Sequence, residues 1–348
     1  MTTDITLDAA GLALIEKHRR WWDRKAMLLT RVQGAPLGDL FLPLSDGTVA
    51  THDTDLTPAM LDVERLLPPV QTPGPLEIYG DRFRTADAFS RVPWVEAILG
   101  APVHATIQGG SMRTRPVIAN WDEWRGVAAH RHQGWYDLVL SMTERLVERS
   151  RGRYAVVAPL MRGPSDLAEA VLGAELMCLS MVDAPERLHA FLDEATGCFI
   201  EILHALLARI PPIAGGFVSP FGIWAPGTVV RTQCDASAFL SARHYAEWYM
   251  PYDARISQSV DHGIIHLHSC SLHTVEPLLT VDRPQAIQVT LEVGPNVPTL
   301  AQMVPIFRKV LARKPLLVEG PLTGGELGYL LSELPHDGLA VTVREEVW

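Results

Sequence analysis

From about residue 150 to its end the chain alternates short apolar runs with longer stretches of helical period, and this rhythm constrains the fold more than any other feature. The spacing predicts strands over 154–159, near 216–219, and over 263–268, 286–292, 315–319 and 338–343. Helices are predicted over 165–176, 185–207, about 237–261, 272–279, 299–312 and 325–334. Strands separated by helices pair in parallel through right-handed crossovers, which leaves a doubly wound open sheet or a closed (β/α)8 TIM barrel. No glycine-rich fingerprint follows a strand, and Gly324-Gly325 lacks the third glycine of a dinucleotide turn. Polar, metal-competent residues recur instead at the C-terminal ends of successive strands, the face on which a barrel carries its active site, so the α/β barrel is the expected fold.

The first 95 residues read differently, as one amphipathic helix followed by proline-punctuated loops such as Pro68-Pro69 and Thr72-Pro73-Gly74-Pro75. Trp21, Trp22, Trp94, Trp121, Trp124 and Trp135 fall in the first 140 residues, so this part is packed. The expected division is an N-terminal extension over 1–95 lying on a barrel over 96–348. With 30 Lys+Arg against 40 Asp+Glu the net charge is −10, which disfavours nonspecific nucleic-acid binding. The uncharged stretch 210–230 is broken too often by Pro and Gly for a membrane helix, and the charged N-terminus lacks a signal-peptide core. A cytoplasmic protein is expected, with no nucleic-acid or membrane partner and with Cys178, Cys198, Cys234 and Cys270 as thiols.

The segment Gly263–His273, GIIHLHSCSLH, is the richest in chemistry. Strand alternation puts His266, His268 and Cys270 on one face and Ile265 and Leu267 on the other. The next strand ends on Glu292 and the one after on Glu319, each closing an otherwise apolar run. Imidazole, thiolate and carboxylate together suit Zn2+, and three ligands with a fourth position open is a catalytic arrangement.

These residues carry a resemblance. Gly163-Pro164-Ser165-Asp166-Leu167-Ala168, the helix start Asp183-Ala184-Pro185-Glu186-Arg187, the stretch from Tyr245 to Met250-Pro251-Tyr252, and Ile265 to Cys270 make the chain, from about Trp94 onward, similar to the uroporphyrinogen decarboxylase superfamily of barrels. It resembles the zinc-dependent methylcobamide:thiol methyltransferase branch more than the decarboxylases. The resemblance implies metal ligation by a His-x-Cys, here His268 and Cys270, by a glutamate about two dozen residues on, here Glu292, and by a later cysteine. No cysteine follows Cys270, and Glu319 is the replacement candidate. The Arg-Gln-Ala-Gly-Arg and Gly-His-Gly segments of the decarboxylase branch are absent; Val318-Glu319-Gly320-Pro321 stands where the latter is sought.

The expected activity is zinc-dependent methyl transfer involving a thiol or a corrinoid-bound methyl group. A corrinoid protein and a small anionic or thiol substrate are the implied partners. Arg113 and Arg115, after Gly109-Gly110, are candidates to grip an anionic substrate, and Glu319 is a candidate base. Asp53, with His52 and Asp55 in the loop 51–55, is a candidate polar partner of an intermediate. The alternatives are a metal-free carboxy-lyase using the same arginines with Asp53 or Asp55, and a non-catalytic small-molecule-binding barrel. His273 is a second choice to His268 as ligand. His104 reads as a core or rim histidine, His130 and His132 as surface residues, and Tyr154 and Asp166 as pocket-shaping residues.

Overall fold

A computed structural model describes residues 5–34, 40–108, 111–294 and 297–346; Gly109-Gly110 lie outside them. Eight strands take part in parallel pairing among the described residues: β1 (Leu28–Gly34), β2 (Thr85–Ala86), β3 (Ala155–Val156), β4 (Val229–Gln233), β5 (His262–His268), β6 (Ala286–Thr290), β7 (Leu316–Gly320) and β8 (Leu339–Glu346). Six form one parallel sheet in the order β1-β8-β7-β6-β5-β4, and β2 pairs in parallel with β3. Among the described residues no strand pairing joins β1 to β2 or β3 to β4, so a mixed α/β architecture with a six-stranded parallel sheet stands where a fully closed barrel is expected. Side chains span the first seam: Leu29 N donates to Asp81 Oδ2 at 2.7 Å, and Asp81 N to Thr30 Oγ1 at 3.2 Å. Because β1 precedes residue 95, the sheet draws on both sides of the 95/96 division.

Alternation along each strand sorts the core. Ile265, Leu267, Ile287, Val289, Leu316, Val318, Val341 and Val343 join the main hydrophobic core with Val275, Val304, Phe307, Leu327 and Leu330 of the covering helices. Their neighbours Leu28, Ile264, Ala286, Leu317 and Ala340 face the other way and form a separate apolar cluster closed by Trp21, Phe221 and Ile223. One step further toward the C-terminal strand ends the same face carries Thr30, Arg231, His266, Gln288, Glu319 and Thr342. This inner face therefore changes from hydrocarbon to hydrogen-bonding groups within two residues.

The C-terminal helices start where side chains cap them. Thr299 with Gln302 opens Leu300–Leu311, and Thr323 with Glu326 opens Gly324–Glu333, each as a reciprocal capping box. The helix Pro185–Leu207 lies where the periodicity places it. Other expectations need correction. The run near 216–219 is no sheet strand: Phe217–Val218 pairs antiparallel with Trp224–Ala225. The chain reverses there through Pro220 and Gly222, whose φ of +72° favours glycine. The true strand is Val229–Gln233. The predicted helix 237–261 is a 3-10 turn, Asp235–Phe239, followed by Ala242–Trp248 and Met250–Gln258, with Ser241 and Pro251 marking new starts. The helix from Pro164 runs to Asp183 but is interrupted at Gly173, where φ is +78°. No helix among the described residues is long and apolar enough to cross a membrane.

Candidate active site

The polar end of the inner face opens into a cavity of about 800 Å3. Six arginines line it: Arg82, Arg91, Arg113, Arg162, Arg231 and Arg344. The lining acids are Asp87, Asp166, Glu169, Asp235 and Glu319, and not all of them offset that charge. Burial pushes the Asp87 carboxyl up, and burial together with the Asp235 charge pushes Asp166 well above the carboxylate range. Burial thus weakens the ionised form of both, and with six arginines facing five acids the cavity is electropositive within an acidic protein.

At the floor, donor atoms of Asp235, His266 and His268 lie within 4.8 Å of one another. Strand β5 supplies both imidazoles two residues apart on one face, and the turn after β4 supplies the carboxylate. His266 Nδ1 meets Gln288 Oε1, while Gln288 Nε2 donates to Thr290 Oγ1 at 3.0 Å. With its amide so oriented, Gln288 accepts the Nδ1 proton and leaves the His266 Nε2 lone pair free. Burial, reinforced by Arg231, lowers the His266 pKa to about 3, so the ring is neutral. His268 lies between two carboxylates, with Nε2 3.6 Å from Asp235 Oδ2 and Nδ1 3.2 Å from Glu292 Oε1. Asp235 raises the His268 pKa against the opposing effect of burial. Burial works to raise Asp235, but His268, His266 and Arg231 outweigh it and hold the carboxyl below its ordinary value. Asp235 Oδ1 is buried without a hydrogen-bond partner. Two imidazoles and a carboxylate with an orphaned buried oxygen fit a divalent ion of the zinc type, with no thiolate in the set.

The residues singled out from sequence divide. His268 and Glu292 meet, and Glu292 is braced by Ser269 Oγ at 3.1 Å. Cys270 does not join the donor group, because β5 ends at His268 and residues Ser269–Thr274 turn as a 3-10 helix, ending the alternation that would have turned it inward. Its thiol is exposed, burial of its surroundings raises its pKa, and it borders a shallow pocket with His273 and Gln302. His273 is engaged elsewhere, its Nε2 lying 3.2 Å from the Ser237 carbonyl. Glu319 lines the cavity but is held by Arg344 at 2.6 Å and Arg82 at 3.4 Å. Arg113 lines the cavity too. Arg115 and Asp53 do not: Arg115 pairs with Asp55 and lies 4.0 Å from Asp53, whose side chain is exposed. His104 is half-buried and His130 stacks on Trp124.

Sequence reasoning missed Arg82, Arg91, Arg162, Arg231, Arg344 and Asp235. A signal existed for Arg231: in Val229-Val-Arg-Thr-Gln233 a charged and an amide side chain share one strand face amid uncharged residues. Arg82, Arg91 and Arg162 sit on short strands and loops where no period marks them, and Arg344 lies in β8 just past the predicted strand 338–343.

No family model matches the chain, and no curated protein matches it. Among solved structures it is similar to a methyltransferase from Methanosarcina mazei, with a TM-score of 0.51 over 73% of this chain and 72% of that one at 14% identity. At that identity the likeness is one of fold.

Proposed function

We propose that this chain is a metal-dependent methyltransferase of the uroporphyrinogen decarboxylase-like barrel class. It would act on an anionic small molecule in the arginine-lined cavity, with a thiol or a corrinoid-bound carrier as the other partner of the transfer. The carrying observation is the convergence of Asp235, His266 and His268 at the floor of that cavity. The reaction class is borrowed from the name of the structural neighbour. Asp235, His266 and His268 would hold zinc, with Gln288 fixing the His266 tautomer and Glu292 orienting His268. A divalent ion held there would lower the pKa of a thiol bound in its open position. Glu319 serves this chemistry by holding Arg82 and Arg344 at the cavity wall, while Arg113 and Arg231 attract the anionic group. Cys270 stands outside the ligand set.

Elemental analysis of the purified protein tests this directly. Stoichiometric zinc that disappears in Asp235→Asn and His266→Gln but persists in Cys270→Ala supports the assignment. Metal-free protein that still transfers methyl groups at full rate would sink it. A metal-free carboxy-lyase is the second reading, favoured by His268 standing between Asp235 and Glu292, an acid–base relay that needs no ion. Release of CO2 from a carboxylate substrate, undiminished by chelators, would move the assignment there.

A further inference from the structure

The cavity carries an apolar wall that the transfer chemistry does not use. Pro220 and Phe221 reach it from the tip of the hairpin joining Phe217–Val218 to Trp224–Ala225, and Ala236, Ala238 and Phe239 from the turn after β4. Both segments are pinned from behind. Phe83 N donates to the Gly222 carbonyl at 2.9 Å, and a Cβ at Gly222 would sit 2.6 Å from the Phe83 carbonyl oxygen. In the turn, Ala236 N donates to Asp166 Oδ1 at 2.7 Å and His273 approaches the Ser237 carbonyl at 3.2 Å. The wall is thus preformed. Phe239 nevertheless stays 60% exposed at the rim, whereas Phe221, deeper in, is 9% exposed. A phenyl ring held in water at the edge of a preformed cavity gains nothing from folding and gains apolar burial when a ligand covers it.

Resting on the reading of this cavity as the substrate site, we propose that the substrate is an amphipathic carboxylate, its anionic group drawn to Arg231 and the neighbouring arginines and an apolar body lying along Phe221 and Phe239. A compact anion would satisfy the arginines and leave Phe239 wet. An uncharged apolar molecule would offer no anionic acceptor to Arg231, whose one side-chain hydrogen bond goes to the neutral amide of Gln233.

Isothermal titration of the full-length protein with acetate, 3-phenylpropanoate and 3-phenylpropanol tests this without methyl donor or turnover, in parallel on untreated and chelator-treated protein. The expected result is 3-phenylpropanoate binding about tenfold or more tighter than acetate, from burial of the ring, and about tenfold or more tighter than the alcohol, from the lost charge-assisted hydrogen bonds. Phe239→Ala, at an exposed position that leaves the melting temperature unchanged, should cut the ratio of 3-phenylpropanoate to acetate affinity by at least about threefold. Equal affinity for the two acids, an unchanged ratio in Phe239→Ala, or no binding of either acid at about 10 mM overturns the proposal. Failure of the metal or methyl-transfer reading leaves these ratios untouched, so the two outcomes are separable.

Discussion

Replacing Arg231 with methionine should stabilise the protein while weakening its hold on anions. Arg231 is 8% exposed, and its guanidinium donates to Gln233 and lies 6.0 Å from the Phe221 ring. Burial pushes its pKa well below the ordinary guanidinium value, to about 10. At 1.36 kcal/mol per pH unit, carrying that charge in the empty cavity costs on the order of 3 kcal/mol relative to water. Methionine keeps much of the volume and removes the charge, so a gain of about 1–3 kcal/mol in the free protein is expected once the lost Gln233 contact is set against it. For a chain of this length that is a rise of roughly 1–4 °C in melting temperature. The same change removes charge-assisted hydrogen bonds worth about 1.5–3 kcal/mol to a bound carboxylate, a loss of about 10- to 100-fold in affinity. Differential scanning fluorimetry without ligand and titration with 3-phenylpropanoate measure both halves. A variant that melts several degrees lower, or one that binds the anion within twofold of the parent, would refute the view that this arginine is held at a cost for its ligand.

Two buried groups set opposite pH dependences of stability. His18 is wholly buried, its Nε2 2.8 Å from the Asp81 carbonyl and its Nδ1 accepting from Trp224 N at 3.0 Å, and burial lowers its pKa to about 4. The unfolded chain binds a proton there below about pH 6.5 while the native state does not, so stability should fall by up to about 3 kcal/mol between pH 6.5 and 4. Urea unfolding across that range should show the fall, and His18→Gln should reduce it, leaving the part that His266 contributes in the same direction. Asp253, fully buried against Tyr245 at 2.9 Å and Thr232 at 3.3 Å, is raised by burial to about 7. Here the native state keeps a proton that the unfolded chain has lost, so stability should decline as pH rises from about 4 to 7. Asp253→Asn should make that decline shallower, the remainder coming from Asp166 and Asp87, and an unchanged profile would refute the role given to Asp253.

The C-terminal third was legible because its strands obey two rules at once. β5 to β8 alternate strictly and are separated by helices with strong starts, so their positions and inward residues follow from period alone. His266 and His268 therefore share one face, opposite Ile265 and Leu267, as alternation assigns them. Legibility ended where the strands did. Cys270 lies two residues past the end of β5, and a period of two says nothing about a 3-10 turn. Asp235 failed in the same way, one turn beyond β4, a strand itself hidden beside the Pro- and Gly-rich hairpin. The arginines of the loops and short strands are brought together only by tertiary contact, which no local pattern encodes.

The metal-competent group and the arginines share a cause in the layering of the inner face. Ile264, Ala286, Leu317 and Ala340 fill the lower level with hydrocarbon, so the next level can be polar only if its groups satisfy one another. They do so in part: His266 with Gln288, Gln288 with Thr290, and Glu319 with Arg82 and Arg344. The remainder, Asp235 Oδ1 and Asp166 Oδ2, is buried without a hydrogen-bond partner. An unpaired buried polar group costs about 1–3 kcal/mol, so two gathered at one cavity floor amount to a stability deficit that folding alone does not recover. Ligands that bind there recover part of it, a cation through Asp235, while a carboxylate offsets the separate cost of burying the Arg231 charge. Binding of each should raise the melting temperature of the native protein more than the number of its contacts suggests, because it settles polar groups already desolvated before it arrives.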